Sequence, residues 1–182
     1  MIFEEKTISS ERIYEGRILN LRRDKVCVKD NKTSYREIVE HNGGVALAAV
    51  TPEGKMVMVR QYRKAAEKAV LEVPAGKIEN DEDHRLTAER ELKEETGYSA
   101  GRIEWITSFY SSIGYSTEVI HLYFATDLTP GETDFDDNES IEILEYDLPE
   151  LKRMVLSGEI EDAKTIAAIL LAESIMEKER TR

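Results

Sequence analysis

The chain has 182 residues, room for one sizeable domain or a core domain with a small appendage, and 41% hydrophobic with 34% charged residues marks a globular protein with a charge-rich surface. A net charge of −12 leaves no surplus of cations to neutralise phosphate, which disfavours binding to nucleic acid or to an anionic membrane; a phosphorylated small molecule stays open if a metal or a local arginine pair supplies positive charge. The lone Cys27 excludes an intrachain disulfide and a cysteine-built metal site.

The opening MIFEEKTISSER has no apolar signal core, and no apolar run approaches a membrane span, so a cytoplasmic protein is expected. The first forty residues read as a meander of short strands. RILNLRRDKVCVKD leads through a turn at Asp30-Asn31-Lys32 into TSYREIVEH, with apolar and polar residues partly alternating. VALAAV and KMVMVRQY flank TPEGK and read as a buried hairpin, and AVLEVPAG reads as a further strand stopped by Pro74 and Gly76. Residues 84–96 predict a helix with Asp81 or Asp83 as N-cap, Gly97 at its end, and Leu86, Ala88 and Leu92 as its apolar side.

RIEWITSFY and EVIHLYFATDL follow as strands, then the acidic loop GETDFDDNES and the strand IEILEY. DLPELKRMVLSG is a short helix ending at Gly158. DAKTIAAILLAESIMEKE is a longer amphipathic helix with Ile166, Ile169, Leu170 and Ile175 toward the core. Together these elements give a mixed α/β (α+β) layered domain over residues 42–182, preceded by a small antiparallel β appendage over residues 1–41.

Within RELKEETG, Glu91, Glu94 and Glu95 stand at i, i+3 and i+4 of the predicted helix. Like charges at that spacing repel by a few tenths of a kcal/mol per pair. A cation would remove the cost: the spacing sets the carboxylates on one helical face, opposite Leu92, and hard divalent cations favour oxygen ligands while keeping waters for phosphates to replace. A solvated acidic face explains scattered acids, but not these together with the flanking glycines and arginine.

Widened to GKIENDEDHRLTAERELKEETGY, residues 76–98 resemble the Nudix box G-x5-E-x7-R-E-U-x-E-E-x-G-U at every specified position, with Leu92 and Tyr98 as the bulky apolar residues. The resemblance implies a Nudix fold, a mixed β-sheet sandwiched between helices. It also implies Mg²⁺, or Mn²⁺, held by Glu91, Glu94, Glu95 and the backbone carbonyl of Ala75. Arg90 and Glu82 would form a salt bridge orienting loop and helix, and Gly76 and Gly97 would permit tight turns at its ends. Glu94 and Arg90 thereby enter the expected catalytic set.

Outside the box, VRQYR, LEVPAGKIE, SFYSSIGYSTEVIHLYFATDL and DAKTIAAIL resemble the ADP-ribose pyrophosphatase branch over nearly the whole chain. That resemblance implies a homodimer with exchanged N-terminal strands and a site built by both subunits. Arg63 would contact the phosphates, Arg36 would reach in from the partner, and Tyr35 would stack on adenine. The general base would come from TDFDDNESIE, with Glu139 first and Glu142 second. The expected activity is metal-dependent hydrolysis of ADP-ribose to AMP and ribose 5-phosphate.

The branch commonly has proline where Ser112-Ile113-Gly114 places isoleucine, and proline fixes a backbone angle. The alternatives are therefore other ADP-sugars, GDP-mannose, NADH or diadenosine polyphosphates. A non-hydrolytic ADP-ribose sensor ranks lower, since such sensors usually lose box glutamates and gain a DNA-binding domain. His41, His84 and His121 show no metal-site spacing and read as structural or surface residues.

Overall fold

The computed structural model describes residues 2–79, 82–135 and 140–180. The backbone divides into two compact units: one comprises the chain up to Gly43 with Tyr110–Val119, the other Gly44–Phe109 with the chain from Ile120 onward.

In the first unit, β1 (Lys6–Glu15), β2 (Asn20–Val28) and β3 (Lys32–Glu40) form an antiparallel sheet in the order β1-β2-β3. A 3-10 turn over Lys29–Asn31 joins β2 to β3, with Asp30 and Asn31 at φ 63° and 55°. Asn and Asp tolerate that left-handed region better than other side chains. Residues 115–117 line up beside β3, where Val39 N–H donates to the Tyr115 carbonyl at 2.8 Å and the Val39 carbonyl accepts from Thr117 N–H at 2.9 Å.

The second unit holds two sheets. β4 (Gly44–Ala49), β7 (Ala75–Lys77), β8 (Ser99–Tyr110) and β9 (Val119–Thr129) assemble in the order β7-β4-β9-β8, with β4 antiparallel to β7 and parallel to β9. β5 (Lys55–Arg63), β6 (Lys68–Glu72) and β10 (Ile141–Asp147) form an antiparallel sheet in the order β10-β5-β6. Three helices complete it: α1 (His84–Thr96), α2 (Leu148–Ser157) and α3 (Ala163–Arg180).

β4 is buried throughout, so its side chains serve two cores. Ala46 and Ala48 pack with Met56, Met58, Leu122, Phe124, Leu151 and Ile169, on the side of α2 and α3. Val45, Leu47 and Ala49 pack with Ala88 and Leu92 of α1, Tyr123 and Ala125. The mixed sheet therefore lies between helices, as the sequence predicts.

Four local expectations are corrected. VALAAV and KMVMVRQY do not pair as a hairpin: β4 and β5 join different sheets, and the strand pairing between the two segments is a single antiparallel bridge, Val50 to Met56, beyond the end of β4. AVLEVPAG is not one strand ended by Gly76, because β6 stops at Glu72 and Gly76 sits inside β7. Leu86 is 59% exposed, since it falls on the opposite side of α1 from Ala88, Leu92 and Glu95; Thr87 is buried in its place. Leu170 is likewise exposed, while Ile169 is fully buried and Ile166 and Ile175 pack partly against the core. Among the described residues no helix is long and apolar enough to cross a membrane.

Candidate functional site

Helix α1 begins at Asp83, whose carboxylate accepts from Arg85 N–H at 2.8 Å, and ends at Gly97, whose φ of 74° and N–H bond to the Lys93 carbonyl close its last turn. Asp81, the other N-cap candidate, lies outside the described residues. Burial of Ala88 and Leu92 fixes the rotation of the helix, and this rotation decides where its glutamates go.

Arg90 is the hub. Its Nε and Nη2 fork onto the two Glu82 oxygens at 3.1 and 3.0 Å, while Nη1 donates to Glu91 at 2.9 Å and to Glu94 at 2.8 Å. A planar guanidinium can hold three carboxylates in this way; a lysine ammonium has no such fork. The hydrogen bond from Arg90 is the chief cause that brings the Glu82 carboxyl down to about 2. Arg90 in turn is raised above its ordinary value, first by the bond to Glu82 and then by Glu91 and Glu94.

The glutamates are not all opposite Leu92. Glu95 lies on the buried side, only 5% exposed, and its carboxylate accepts from Ala75 N–H at 2.9 Å, tying α1 to β7. Glu91 lies over Gly76: a Cβ built there would fall 1.8 Å from the Glu91 carboxyl carbon and 2.0 and 2.3 Å from its oxygens. Gly76 has no positive φ, so close approach rather than turn geometry requires it. Gly97 does sit in a turn, and its carbonyl lies 2.9 Å from where a Cβ of Gly131 would be. Nearby, Asp134 N–H donates to the Glu94 carbonyl at 3.0 Å, so the start of the acidic loop is bound to the box helix.

Among the described residues no three His, Cys, Asp or Glu side chains meet as a ready metal cage. Arg90 stands between Glu91 and Glu94, and Glu95 turns to Ala75. The donor chemistry nonetheless fits a hard divalent cation: carboxylate oxygens on adjacent helical turns beside a backbone strand, with a glycine leaving space for Glu91.

Arg63 ends β5 and forks onto Glu72 at 2.7 and 2.8 Å. Glu72 is almost fully buried and also accepts from Lys164 Nζ at 2.5 Å. Burial pushes its carboxyl up, but Arg63 and Lys164 outweigh burial and hold it below its ordinary value. An open cavity of about 360 Å³ is lined by this group with Ala65, Lys68 and Val70. Glu72 and Lys164 carry little signal in the sequence beyond a lone glutamate within the apolar run AVLEVP.

Arg36 and Tyr35 stand on β3 of the first unit. Arg36 is paired with Glu5 and bonds the Tyr35 carbonyl at 2.8 Å, and exposed Tyr35 has the Arg23 guanidinium 5.5 Å from its ring. Glu142 stands on β10, opposite Arg60 in register and ion-paired with it at 3.0 Å; Glu139 lies outside the described residues. His84 and His121 stack at 4.2 Å, with His84 bonded to the Tyr123 hydroxyl, while His41 faces Glu118 at 3.3 Å.

The helix-borne glutamates, the Arg90 hub and the glycine cradle belong to a recognised class. Residues 40–169 match the NUDIX domain, and residues 5–39 match the nucleoside diphosphate sugar hydrolase N-terminal domain. The chain belongs to the Nudix family, whose hydrolases are generally dependent on a divalent metal. It is 46% identical over 170 residues to a methanol dehydrogenase activator of Bacillus methanolicus, covering 92% of each chain. It is 45% identical over 168 residues to an ADP-ribose pyrophosphatase of Bacillus subtilis (strain 168), covering 91% of each. A crystal structure of an ADP compounds hydrolase matches it with a TM-score of 0.87 at 17% identity, over 98% of this chain and 97% of that one, a likeness of fold.

Proposed function

We propose that this chain hydrolyses the diphosphate of ADP-ribose to AMP and ribose 5-phosphate, with Mg²⁺ or Mn²⁺ as its metal. The observation that carries the reading is the Arg90 hub, which gathers Glu82, Glu91 and Glu94 on a helix that Glu95 joins to Ala75. The likeness to the ADP-ribose pyrophosphatase of Bacillus subtilis over nearly the full chain supports ADP-ribose as substrate.

Glu91, Glu94 and Glu95, with the Ala75 carbonyl, would hold the metal. Bound there, a divalent cation supplies charge neutralisation of the diphosphate and polarises phosphorus. Arg90 and Glu82 keep the glutamates together, and Gly76 leaves Glu91 its place. Arg63 binds the phosphates: its Nε and Nη2 are used on Glu72, while Nη1 has no hydrogen-bond partner among the described residues. Glu139 takes the proton of the attacking water, with Glu142 second, since Arg60 already engages Glu142.

Arg36 and Tyr35 act from the N-terminal domain, residues 1–41, in a cytoplasmic homodimer whose N-terminal strands are exchanged. The exposed apolar side chains Ile8, Ile13 and Tyr14 on β1 support that assembly. Exposed Ile113, where the branch has proline, favours as second reading a hydrolase of a wider nucleoside diphosphate sugar range.

The test is AMP release from ADP-ribose by the purified protein with Mg²⁺, followed by chromatography beside other nucleoside diphosphate derivatives. Activity should disappear with a chelator and return with excess Mg²⁺ or Mn²⁺. Cleavage of another derivative with none of ADP-ribose would overturn the substrate assignment.

A further inference from the structure

The group around Glu72 is more elaborate than a single ion pair. One Glu72 oxygen accepts from Arg63 Nε at 2.7 Å, and the other accepts both from Arg63 Nη2 at 2.8 Å and from Lys164 Nζ at 2.5 Å. The Glu72 side chain keeps 3% of its surface, so its charge depends on these partners rather than on water.

Lys164 is itself fixed. Its Nζ donates also to Asp162 at 3.0 Å. Asp162 caps the start of α3, accepting from Thr165 N–H at 3.0 Å and from the Thr165 hydroxyl at 2.5 Å. That hydroxyl accepts in turn from Val73 N–H at 3.0 Å, the residue after Glu72. The first turn of α3 therefore carries Lys164 to the second Glu72 oxygen by a closed circuit of hydrogen bonds.

The consequence falls on Arg63, whose side chain keeps 43% of its surface and lines the open cavity. We infer that Lys164 is a positioning residue for Arg63: by sharing the buried Glu72 carboxylate, it holds the guanidinium at the cavity edge with Nη1, which has no hydrogen-bond partner among the described residues, turned to a substrate phosphate. Without Lys164, the whole Glu72 charge would rest on Arg63 and draw its head inward. This inference rests on the reading of Arg63 as a phosphate contact.

The test is a double-mutant cycle on the full-length protein, measuring kcat and KM for ADP-ribose with Mg²⁺, with folding followed by circular dichroism. Lys164→Met should raise KM about tenfold, the scale of one weakened charged contact, with kcat within about twofold. Lys164→Arg should restore KM, because it returns a cation to the same oxygen. In an Arg63→Ala background the Lys164→Met effect should vanish, since neither change then acts alone.

Should Lys164→Met fail to fold, Lys164→Gln, which retains a neutral donor, takes its place in the cycle. An unchanged KM, or a Lys164 effect undiminished without Arg63, overturns the inference. If Arg63→Ala alone leaves KM unchanged, the inference falls while the hydrolytic reading stands. If the wild-type chain does not cleave ADP-ribose, the substrate reading fails, and the cycle is run with whichever nucleoside diphosphate derivative it does cleave.

Discussion

Gly76→Ala is the sharpest probe of the site. The added methyl would lie 1.8 Å from the Glu91 carboxyl carbon, where ordinary contact begins at 3.4 Å, so the carboxylate must retreat by about 1.6 Å. That retreat breaks the 2.9 Å bond from Arg90 Nη1 to Glu91 and moves one proposed ligand out of the set. A misplacement of about 1 Å at a reacting centre costs roughly a hundredfold in rate, so kcat should fall by about that factor or more. Stability should change by only about 1–3 kcal/mol, the usual cost of overpacking, because the displaced group is the movable end of a side chain. Steady-state turnover of ADP-ribose at saturating Mg²⁺, beside thermal unfolding by circular dichroism, separates the two effects. A variant that melts like wild type and keeps kcat within about threefold would refute the close-approach argument.

Glu82→Gln tests the other side of Arg90. The folded carboxyl sits at about 2 against an ordinary 4.5, so its stabilisation is full above pH 4.5 and is lost as pH falls toward 2. Since the side chain keeps 20% of its surface, screening brings the contribution to about 1–2 kcal/mol. Urea titrations at pH 7 and pH 3 should show the variant weaker at pH 7 and its deficit reduced to roughly two-fifths at pH 3, still above the folded value; equal deficits at both would contradict the assignment. Glu94→Gln and Glu95→Gln should each lower kcat by about a hundredfold or more while remaining folded, Glu95→Gln because the amide oxygen still accepts from Ala75 N–H. Glu95→Ala should lose about 1–3 kcal/mol in addition, as it leaves that donor unpaired, and a stability equal to that of Glu95→Gln would count against the tie.

The sequence made the box helix legible because every device there is local. Asp83 and Gly97 cap one short segment, and Arg90 reaches Glu94 one turn away. Strand pairing was not local in the same sense. β4 and β5 are both buried on two faces, so neither has the alternation that would reveal a partner, and adjacency in sequence suggested a hairpin. β4 pairs instead with β7 on one edge and with β9 on the other, the latter more than seventy residues on, where Val45 faces His121. Leu86 misleads because its apolar character is at odds with its angle: it lies about half a turn around α1 from buried Ala88. Glu72 was invisible for a related reason: Lys164 stands 92 residues away, and no periodicity links them.

Four consecutive residues carry the chain from one sheet to the other. Glu72 meets Arg63 and Lys164, Val73 N–H meets Thr165, the Pro74 carbonyl meets Leu47 N–H at 2.9 Å, and Ala75 N–H meets Glu95. Each of the four residues along this crossing is tied to another element by at least one hydrogen bond, so it acts as a rigid weld between two workshops. On one side stands the arginine proposed to grip the phosphates; on the other, the acids proposed to hold the metal. Such a joint leaves the cavity wall at Ala65, Lys68 and Val70, which takes no part in these bonds, open to change for a different leaving group while the cleaving apparatus keeps its geometry.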